Sequence, residues 1–74
     1  MGVSNNMSAR EVRRFVERNI GRRVDVELVG GLDLEGVILS AGVTTFRLRI
    51  RRRGRNIVRR IAYASVREIS LDRD

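Results

Sequence analysis

Near the amino terminus, the spacing of apolar residues is that of a helix. Val12, Phe15, Val16 and Ile20 are separated by three, one and four positions, which places them on one side of a helix. Arginines occupy the other sides. The pattern predicts a short amphipathic helix that must pack its apolar stripe against another element.

Local signals mark both ends of this helix. Ser8 and Glu11 have the spacing of a capping box, in which the serine hydroxyl and the glutamate carboxylate satisfy backbone N–H groups of the first turn. Gly21 is placed to end the helix in the left-handed conformation. The polar residues 1–7 are predicted to be a flexible leader, and residues 8–74 a single domain.

Beyond the helix the apolar period becomes two, which is typical of half-buried strands. Two alternating segments flank the Gly30-Gly31 turn and predict a β-hairpin. Gly36 interrupts the second segment and predicts a sharp bend or a bulge. The alternating apolar positions are Val24, Val26, Leu28, Leu32, Leu34 and Ile38.

Three more strands are predicted after a turn at Ala41-Gly42. A basic turn over residues 53–56 joins the first two, and a tight connection at Ala64-Ser65 precedes the last. The residues that define them are Phe46, Leu48 and Ile50, then Ile57, Arg59, Ile61 and Tyr63, then Val66, Ile69 and Leu71. One helix and five short strands predict a mostly β fold, a strongly bent five-stranded antiparallel barrel of the SH3-like kind. Its fourth and fifth strands would be free edges, able to pair with other copies in a ring.

Composition limits the chemistry that this domain can perform. The 74 residues contain no cysteine and no histidine, so disulfides and thiolate metal sites are excluded, and no metal or cofactor is expected. Lysine is absent as well, and no glycine-rich phosphate loop occurs. We therefore expect a non-enzymatic protein. With no signal peptide and no apolar run of about 20 residues, we expect it to be cytoplasmic and free of membrane.

Charge is concentrated in the second half of the chain. The net charge is +7, and all 16 basic residues are arginines. Between Glu35 and Glu68 there are nine arginines and no acidic residue. Such a one-sided field attracts phosphate backbones by releasing their counterions, so we predict a polyanion ligand.

Several segments resemble the Sm-like (LSm) family, which includes archaeal Sm-like proteins and the bacterial RNA chaperone Hfq. The likeness covers about residues 8 to 71. The segments that carry it are Gly21–Leu28, the Gly30-Gly31 turn, Leu34–Ile38 and Ile61–Ile69. The resemblance implies a ring of six or seven subunits, in which strand four of one subunit pairs with strand five of the next, and single-stranded RNA bound at the inner rim. The loop Gly42–Thr45 lacks the aspartate and asparagine of that family, and Ala62-Tyr63-Ala64 lacks its arginine-glycine or tyrosine-lysine-histidine run, which leaves the base preference open.

The principal candidate site is an arginine cluster in the hairpin between the third and fourth strands. Guanidinium groups bind phosphate in a bidentate manner and stack on bases, which suits single-stranded nucleic acid. The alternative is a solvated hairpin that contacts acidic groups of a neighbouring subunit. The cluster comprises Arg51, Arg52, Arg53, Arg55, Arg59 and Arg60. Arg47 and Arg49 are instead predicted to pair with Asp33 and Glu35 across adjacent strands.

Three further residues complete the candidate site. Tyr63 is predicted either to stack on a base or to fill a subunit contact. Thr44 and Thr45 lie in the loop where the Sm-like family reads bases, and their hydroxyls can donate and accept hydrogen bonds. Their alternative role is ordinary loop chemistry.

The predicted function is therefore an RNA-binding, ring-forming protein that acts in RNA metabolism or as an RNA chaperone. Two alternatives remain from the residues alone. One is an assembly or scaffold protein whose arginines contact acidic protein partners. The other is a basic architectural protein that binds duplex DNA through the same cluster.

Overall fold

A computed structural model describes residues 6–72. They form one helix followed by five strands, which confirms the predicted order of elements. The elements are α1 (Ala9–Arg18), β1 (Arg23–Leu28), β2 (Asp33–Ala41), β3 (Thr45–Arg52), β4 (Arg55–Ala62), a 3-10 turn (Tyr63–Ser65) and β5 (Val66–Leu71). Most of the predicted leader, residues 1–5, lies outside the described residues, as do residues 73–74 of the predicted domain.

The amino-terminal end of α1 has the predicted capping box. The Ser8 backbone N–H donates to Glu11 Oε1 at 2.8 Å, and the Glu11 backbone N–H donates to Ser8 Oγ at 3.1 Å. Just before the cap, the Met7 N–H donates to the Arg67 carbonyl oxygen at 2.8 Å, and the Met7 side chain packs against the core. The start of the helix is thus attached to β5.

The carboxyl-terminal end differs from the prediction. The helix ends at Arg18 with Asn19 as its cap, and the Asn19 amide donates to the Phe15 carbonyl oxygen at 2.7 Å. Gly21 has a positive φ of 86°, but it lies in the following turn rather than at the cap. Ile20 consequently falls outside the helix and is 45% exposed. The Asn19 side chain therefore satisfies a free carbonyl group at the end of the helix, a role that was expected of the backbone at Gly21.

The five strands form one antiparallel sheet in the order β4-β3-β2-β1-β5. The predicted five-stranded antiparallel sheet is therefore present, but it is not closed into a barrel, because β4 and β5 are edge strands that do not pair with each other. The helix packs against β2, β5 and the 3-10 turn. No helix among residues 6–72 is long and apolar enough to cross a lipid bilayer.

Strand β2 changes partners at Gly36. Its first part pairs with β1 and its second part pairs with β3, and Gly36 belongs to both ladders. A Cβ atom at this position would overlap the carbonyl oxygen of Arg49, so glycine permits the close approach of β2 and β3. The bulge expected near Gly36 occurs three residues later, where the register shifts between Ile38 and Ser40.

The core lies between α1 and one face of the sheet. All three apolar residues predicted for the third strand are buried, and both helix valines are inaccessible. The fully covered side chains are Phe46, Ile38, Leu48, Val12, Val16, Val24 and Val26. In β4 only Ile61 is buried, whereas Ile57 is 38% exposed, because β4 is an edge strand and extends beyond the covered part of the sheet.

Candidate nucleic-acid interface

The β3–β4 hairpin, residues 47–60, carries the predicted arginine cluster and is called here the arginine arm. Its strands pair continuously from Thr45 opposite Ala62 to Arg52 opposite Arg55. Beyond Ile50, β3 pairs with β4 alone, because the pairing of β2 with β3 ends at Gly36 opposite Ile50. The end of the arm is therefore a two-stranded ribbon with arginine at most of its positions.

A two-residue turn closes the arm. Arg53 and Gly54 both have positive φ, 52° and 78°, as a type I′ turn requires at its two central positions. Arg53 is the single non-glycine residue with positive φ among residues 6–72. An ordinary L-residue in this conformation costs about 1–2 kcal/mol. A charge is thus retained at the tip where asparagine or glycine would fit the backbone better.

The register distributes the arginines over both faces of the arm. Residues directly opposite each other in an antiparallel pair project to the same side of the sheet. Leu48 and Ile50 face the core, so their partners Arg59 and Ile57 lie on that side. The core-facing arginines are Arg52, Arg55 and Arg59, and the outward-facing arginines are Arg47, Arg49, Arg51 and Arg60. All seven are exposed, so the arm can contact anions on both faces and at its tip.

The predicted pairing of Arg47 and Arg49 with Asp33 and Glu35 is wrong. Arg49 is opposite Val37, and the β-bulge places Arg47 opposite Ser40. Within residues 6–72, no arginine of the arm lies within 4.0 Å of a carboxylate oxygen, since the ion pairs there involve Arg13, Arg23 and Arg67. Arg47 instead faces Arg60 across the ladder, a like-charge pair that disfavours folding slightly. These two arginines therefore belong to the basic surface.

Thr44, Thr45 and Tyr63 lie at the opposite end of the hairpin. Seven residue steps separate Thr45 from Arg52, which corresponds to about 23 Å along an extended strand. The Thr44 carbonyl oxygen accepts from the Tyr63 N–H at 3.0 Å, and the Thr45 carbonyl oxygen accepts from the Gly42 N–H at 2.8 Å. The structure thus divides the predicted site into two separate regions.

The environment of Tyr63 favours a packing role over base stacking. The side chain is 3% exposed, and its ring stacks on Phe46 with a centroid distance of 5.6 Å. Its hydroxyl donates to the Gly42 carbonyl oxygen at 2.8 Å. Burial raises the pKa of Tyr63 above its ordinary value, and the nearby Glu17 carboxylate adds to the shift. Tyr63 lies in the 3-10 turn rather than in the fourth strand, where the sequence pattern had placed it.

A shallow depression beside the amino-terminal end of α1 includes Thr44. Arg10 and Arg13 of the helix line it together with Val43 and the edge of Tyr63. The sequence did not reveal this proximity, because it depends on packing the helix against the Thr44 loop. Arg13 is already bonded to Glu17 at 2.9 Å, so Arg10 is the more available cation.

A second charged region, which we call the acidic face, covers the outer side of β1, β2 and β5. It comprises Asp25, Glu27, Asp33, Glu35 and Glu68. Asp25 is opposite Glu35, and Glu27 is opposite both Asp33 and Glu68. The sequence predicted outward carboxylates, but their concentration depends on the pairing of β1 with β5, which are distant along the chain.

One end of the acidic face has strongly interacting carboxyl groups. The carboxylate oxygens of Asp25, Glu35 and Asp72 lie within 4.8 Å of one another. A hydrogen bond with the Asp72 side chain, followed by repulsion from its charge, raises the pKa of Glu35 above its ordinary value of 4.5. Arg23 opposes the shift and contacts Glu35 at 3.7 Å and Asp72 at 3.4 Å. Arg23 therefore neutralises part of the charge of this group.

Comparison of the chain with protein-family models, curated proteins and solved structures gives no match. The resemblance to the Sm-like family therefore rests on the sequence segments described above and stays a prediction. The observed helix and five-stranded antiparallel sheet are consistent with such a fold.

Proposed function

We propose that this protein binds single-stranded RNA through the arginine arm. The observation that carries the proposal is a projecting ribbon with guanidinium groups on both faces and, within residues 6–72, no carboxylate oxygen within 4.0 Å of any of them. Uncompensated guanidinium groups bind phosphate by charge-assisted hydrogen bonds and release counterions from the nucleic acid. They also stack on unpaired bases.

The conformation of Arg53 supports the same proposal. A strained, exposed arginine at a turn makes no ion pair within residues 6–72 that would offset its conformational cost. Contact with a polyanion provides the compensating free energy. A flexible single strand can follow the twisted ribbon from its tip to Arg47 and Arg60, which favours single-stranded RNA over a rigid duplex.

Self-association into a ring is the second part of the proposal. The open sheet has two edges, β4 and β5, and each carries an exposed apolar side chain, Ile57 and Leu71, both 38% exposed. Pairing of β4 in one copy with β5 in the next would satisfy both edges and cover these side chains. The resemblance implies six or seven subunits. A role in RNA metabolism or as an RNA chaperone, and a cytoplasmic location, remain predictions.

The test of the binding surface is a triple variant, Arg52→Ser, Arg53→Ser and Arg55→Ser. Fluorescence anisotropy with labelled single-stranded RNA should show weaker binding. The slope of log K against log salt concentration should also become shallower by about 2, since each lost phosphate contact removes about 0.7 from the slope. The matched control, Arg10→Ser, Arg14→Ser and Arg18→Ser, removes equal charge from α1. Equal effects of both triple variants would contradict the assignment to the arm.

Two further measurements separate the alternatives. If duplex DNA competes better than single-stranded RNA, the result would favour the hypothesis of an architectural DNA-binding protein. If neither nucleic acid binds at moderate salt, the result would favour acidic protein partners. Light scattering with and without RNA tests the ring. A stable monomer in both conditions would reject it.

A further inference from the structure

A cleft separates the arginine arm from the acidic face. It forms because β2 parts from β3 at Gly36: the residues before Gly36 pair with β1, while Arg51 and Arg52 pair with β4. The cleft has a volume of about 350 Å³. One wall carries Asp33 and Glu35 together with Arg23, and the opposite wall carries arginines of the arm.

The two charged walls do not neutralise each other. In the described part of the chain, Asp33 takes part in no ion pair within 4.0 Å, and the ion pair of Glu35 is with Arg23, on the β1 side. Arg49 and Arg51 likewise contact no carboxylate there. A gap of more than 4.0 Å therefore remains between carboxylate oxygens on one wall and guanidinium nitrogens on the other. Such a gap suits a ligand with hydrogen-bond donors on one edge and acceptors on another.

Apolar surface lies between the two walls. Val37 lines the cleft from the outward side of the sheet beside Gly36, and the core-facing Ile50 contributes only its small exposed fraction. Val37 is half-buried and Ile50 is 6% exposed. A flat, partly apolar ligand could contact this surface through its plane while its polar edges reach the walls.

Guanine has the matching arrangement of polar groups. Its N1–H and N2 amino group are adjacent donors, and its O6 and N7 atoms are adjacent acceptors. Carboxylates only accept hydrogen bonds and guanidinium groups only donate them. Adenine presents one amino group next to ring acceptors, and uracil places its single N–H between two carbonyl oxygens, so neither satisfies both walls.

We propose that this cleft binds a guanine base of the RNA held by the arginine arm. Asp33 and Glu35 accept from N1–H and the N2 amino group, and Arg49 and Arg51 donate to O6 and N7. Arg52, which also lines the cleft, leads to the tip of the arm, so the neighbouring phosphates meet guanidinium groups. The inference rests on the proposed RNA binding and adds a base preference to it.

The experiment uses labelled oligouridylates that carry one central guanosine, adenosine, inosine or 7-deazaguanosine. The guanosine oligonucleotide should bind about tenfold more tightly than the adenosine one, within the range of a well-formed bidentate base contact. Inosine lacks the N2 amino group and 7-deazaguanosine lacks the N7 acceptor, so each should lose part of the preference. The two analogues test the acidic and basic walls separately.

The double variant Asp33→Asn and Glu35→Gln tests the acidic wall. It should clearly lower the guanosine-to-adenosine affinity ratio, because a neutral amide oxygen accepts more weakly than a carboxylate. Loss of negative charge should at the same time strengthen RNA binding generally. The matched control, Glu27→Gln and Glu68→Gln, removes the same charge from outside the cleft and should keep the preference. Using the ratio cancels the general electrostatic gain that both double variants share.

The outcomes separate this inference from the proposed function. Tight binding with equal affinity for guanosine and adenosine would overturn the guanine site and leave RNA binding by the arm standing. A guanosine preference that is undiminished in the Asp33→Asn and Glu35→Gln variant would also overturn it. Binding of none of the oligonucleotides would reject both proposals.

Discussion

The acidic face and the arginine arm are two regions of opposite charge, and they differ in how that charge is compensated. On the acidic face, Arg23 contacts Glu35 and Asp72, and Arg67 contacts Glu27 at 3.8 Å. In the arginine arm, within residues 6–72, no guanidinium group has a carboxylate within 4.0 Å. The acidic face is thus partly neutralised within the chain, whereas the arm needs ions or a ligand from solution.

The two regions also differ in how they are packed. Val24 and Val26 are at most 1% exposed. They lie on the opposite side of β1 from the acidic carboxylates. In β4, the core-facing Ile57 and the outward Val58 are 38% and 55% exposed. Stability is therefore concentrated in the covered part of the sheet, which includes Leu48 at the base of the arm, and the exposed arginines of the arm can change in charge with little effect on folding. Binding and stability should therefore respond to different substitutions.

The largest expected effect comes from the covered part of the sheet. Leu48→Ala removes a fully buried side chain and should lower the free energy of unfolding by about 2–5 kcal/mol. Ile57→Ala, on the same side of the arm but partly exposed, should cost less than about 1 kcal/mol. Urea denaturation measures both. Similar losses for the two variants would contradict the division between the covered base of the arm and its exposed end.

Tyr63→Phe tests whether Tyr63 serves packing or base stacking. The phenylalanine ring can still stack on Phe46, but the hydrogen bond to the Gly42 carbonyl oxygen is lost, so stability should fall by about 1 kcal/mol. RNA affinity should stay unchanged, because the residue lies about 23 Å from the tip of the arm. Urea denaturation and RNA anisotropy measure the two quantities. A tenfold loss of affinity without loss of stability would restore the binding role.

Arg53→Asn separates stability from binding within the arm. Asparagine tolerates positive φ better than arginine, so the variant should be more stable by about 0.5–1 kcal/mol, while losing a phosphate contact and binding RNA more weakly. Arg51→Asn is the control, because it removes equal charge from a residue without positive φ. Thermal unfolding at moderate salt should show stabilisation only for the Arg53 variant. Equal stability changes would mean that charge, rather than backbone strain, is responsible.

The smallest expected effect concerns the acidic face and depends on pH. The folded-state pKa of Glu35 lies above its ordinary value of 4.5, so the folded chain binds this proton more tightly than the unfolded chain does. Ionisation of Glu35 thus disfavours folding, and the penalty is relieved as pH falls through the folded-state pKa and then 4.5. Glu35→Gln should raise the melting temperature at pH 7, and its advantage should fade below about pH 4. A stabilisation that persists at low pH would point to another cause.

Some features of this protein follow from residues that are close together in the chain. The capping box at Ser8 and Glu11, the turn at Gly30-Gly31 and the buried alternation of β3 all match the sequence pattern. The arginine cluster was also recognisable, because a hairpin keeps neighbouring residues together whatever packs around it. Backbone preference and side-chain alternation act within a few residues, so the pattern is sufficient to predict them.

Other features were decided by contacts between distant parts of the chain. The bulge between Ile38 and Ser40 sets the register of β2 against β3, and it separates Arg47 and Arg49 from the carboxylates that the alternation had assigned to them. The pairing of β1 with β5 brings the carboxylates of the acidic face together, and it leaves β4 as a free edge of the sheet. A shift of one residue moves every side chain of a strand to the other face. The positions of the charged residues along the chain could therefore be read from the sequence. The residue that each of them contacts depends on strand register.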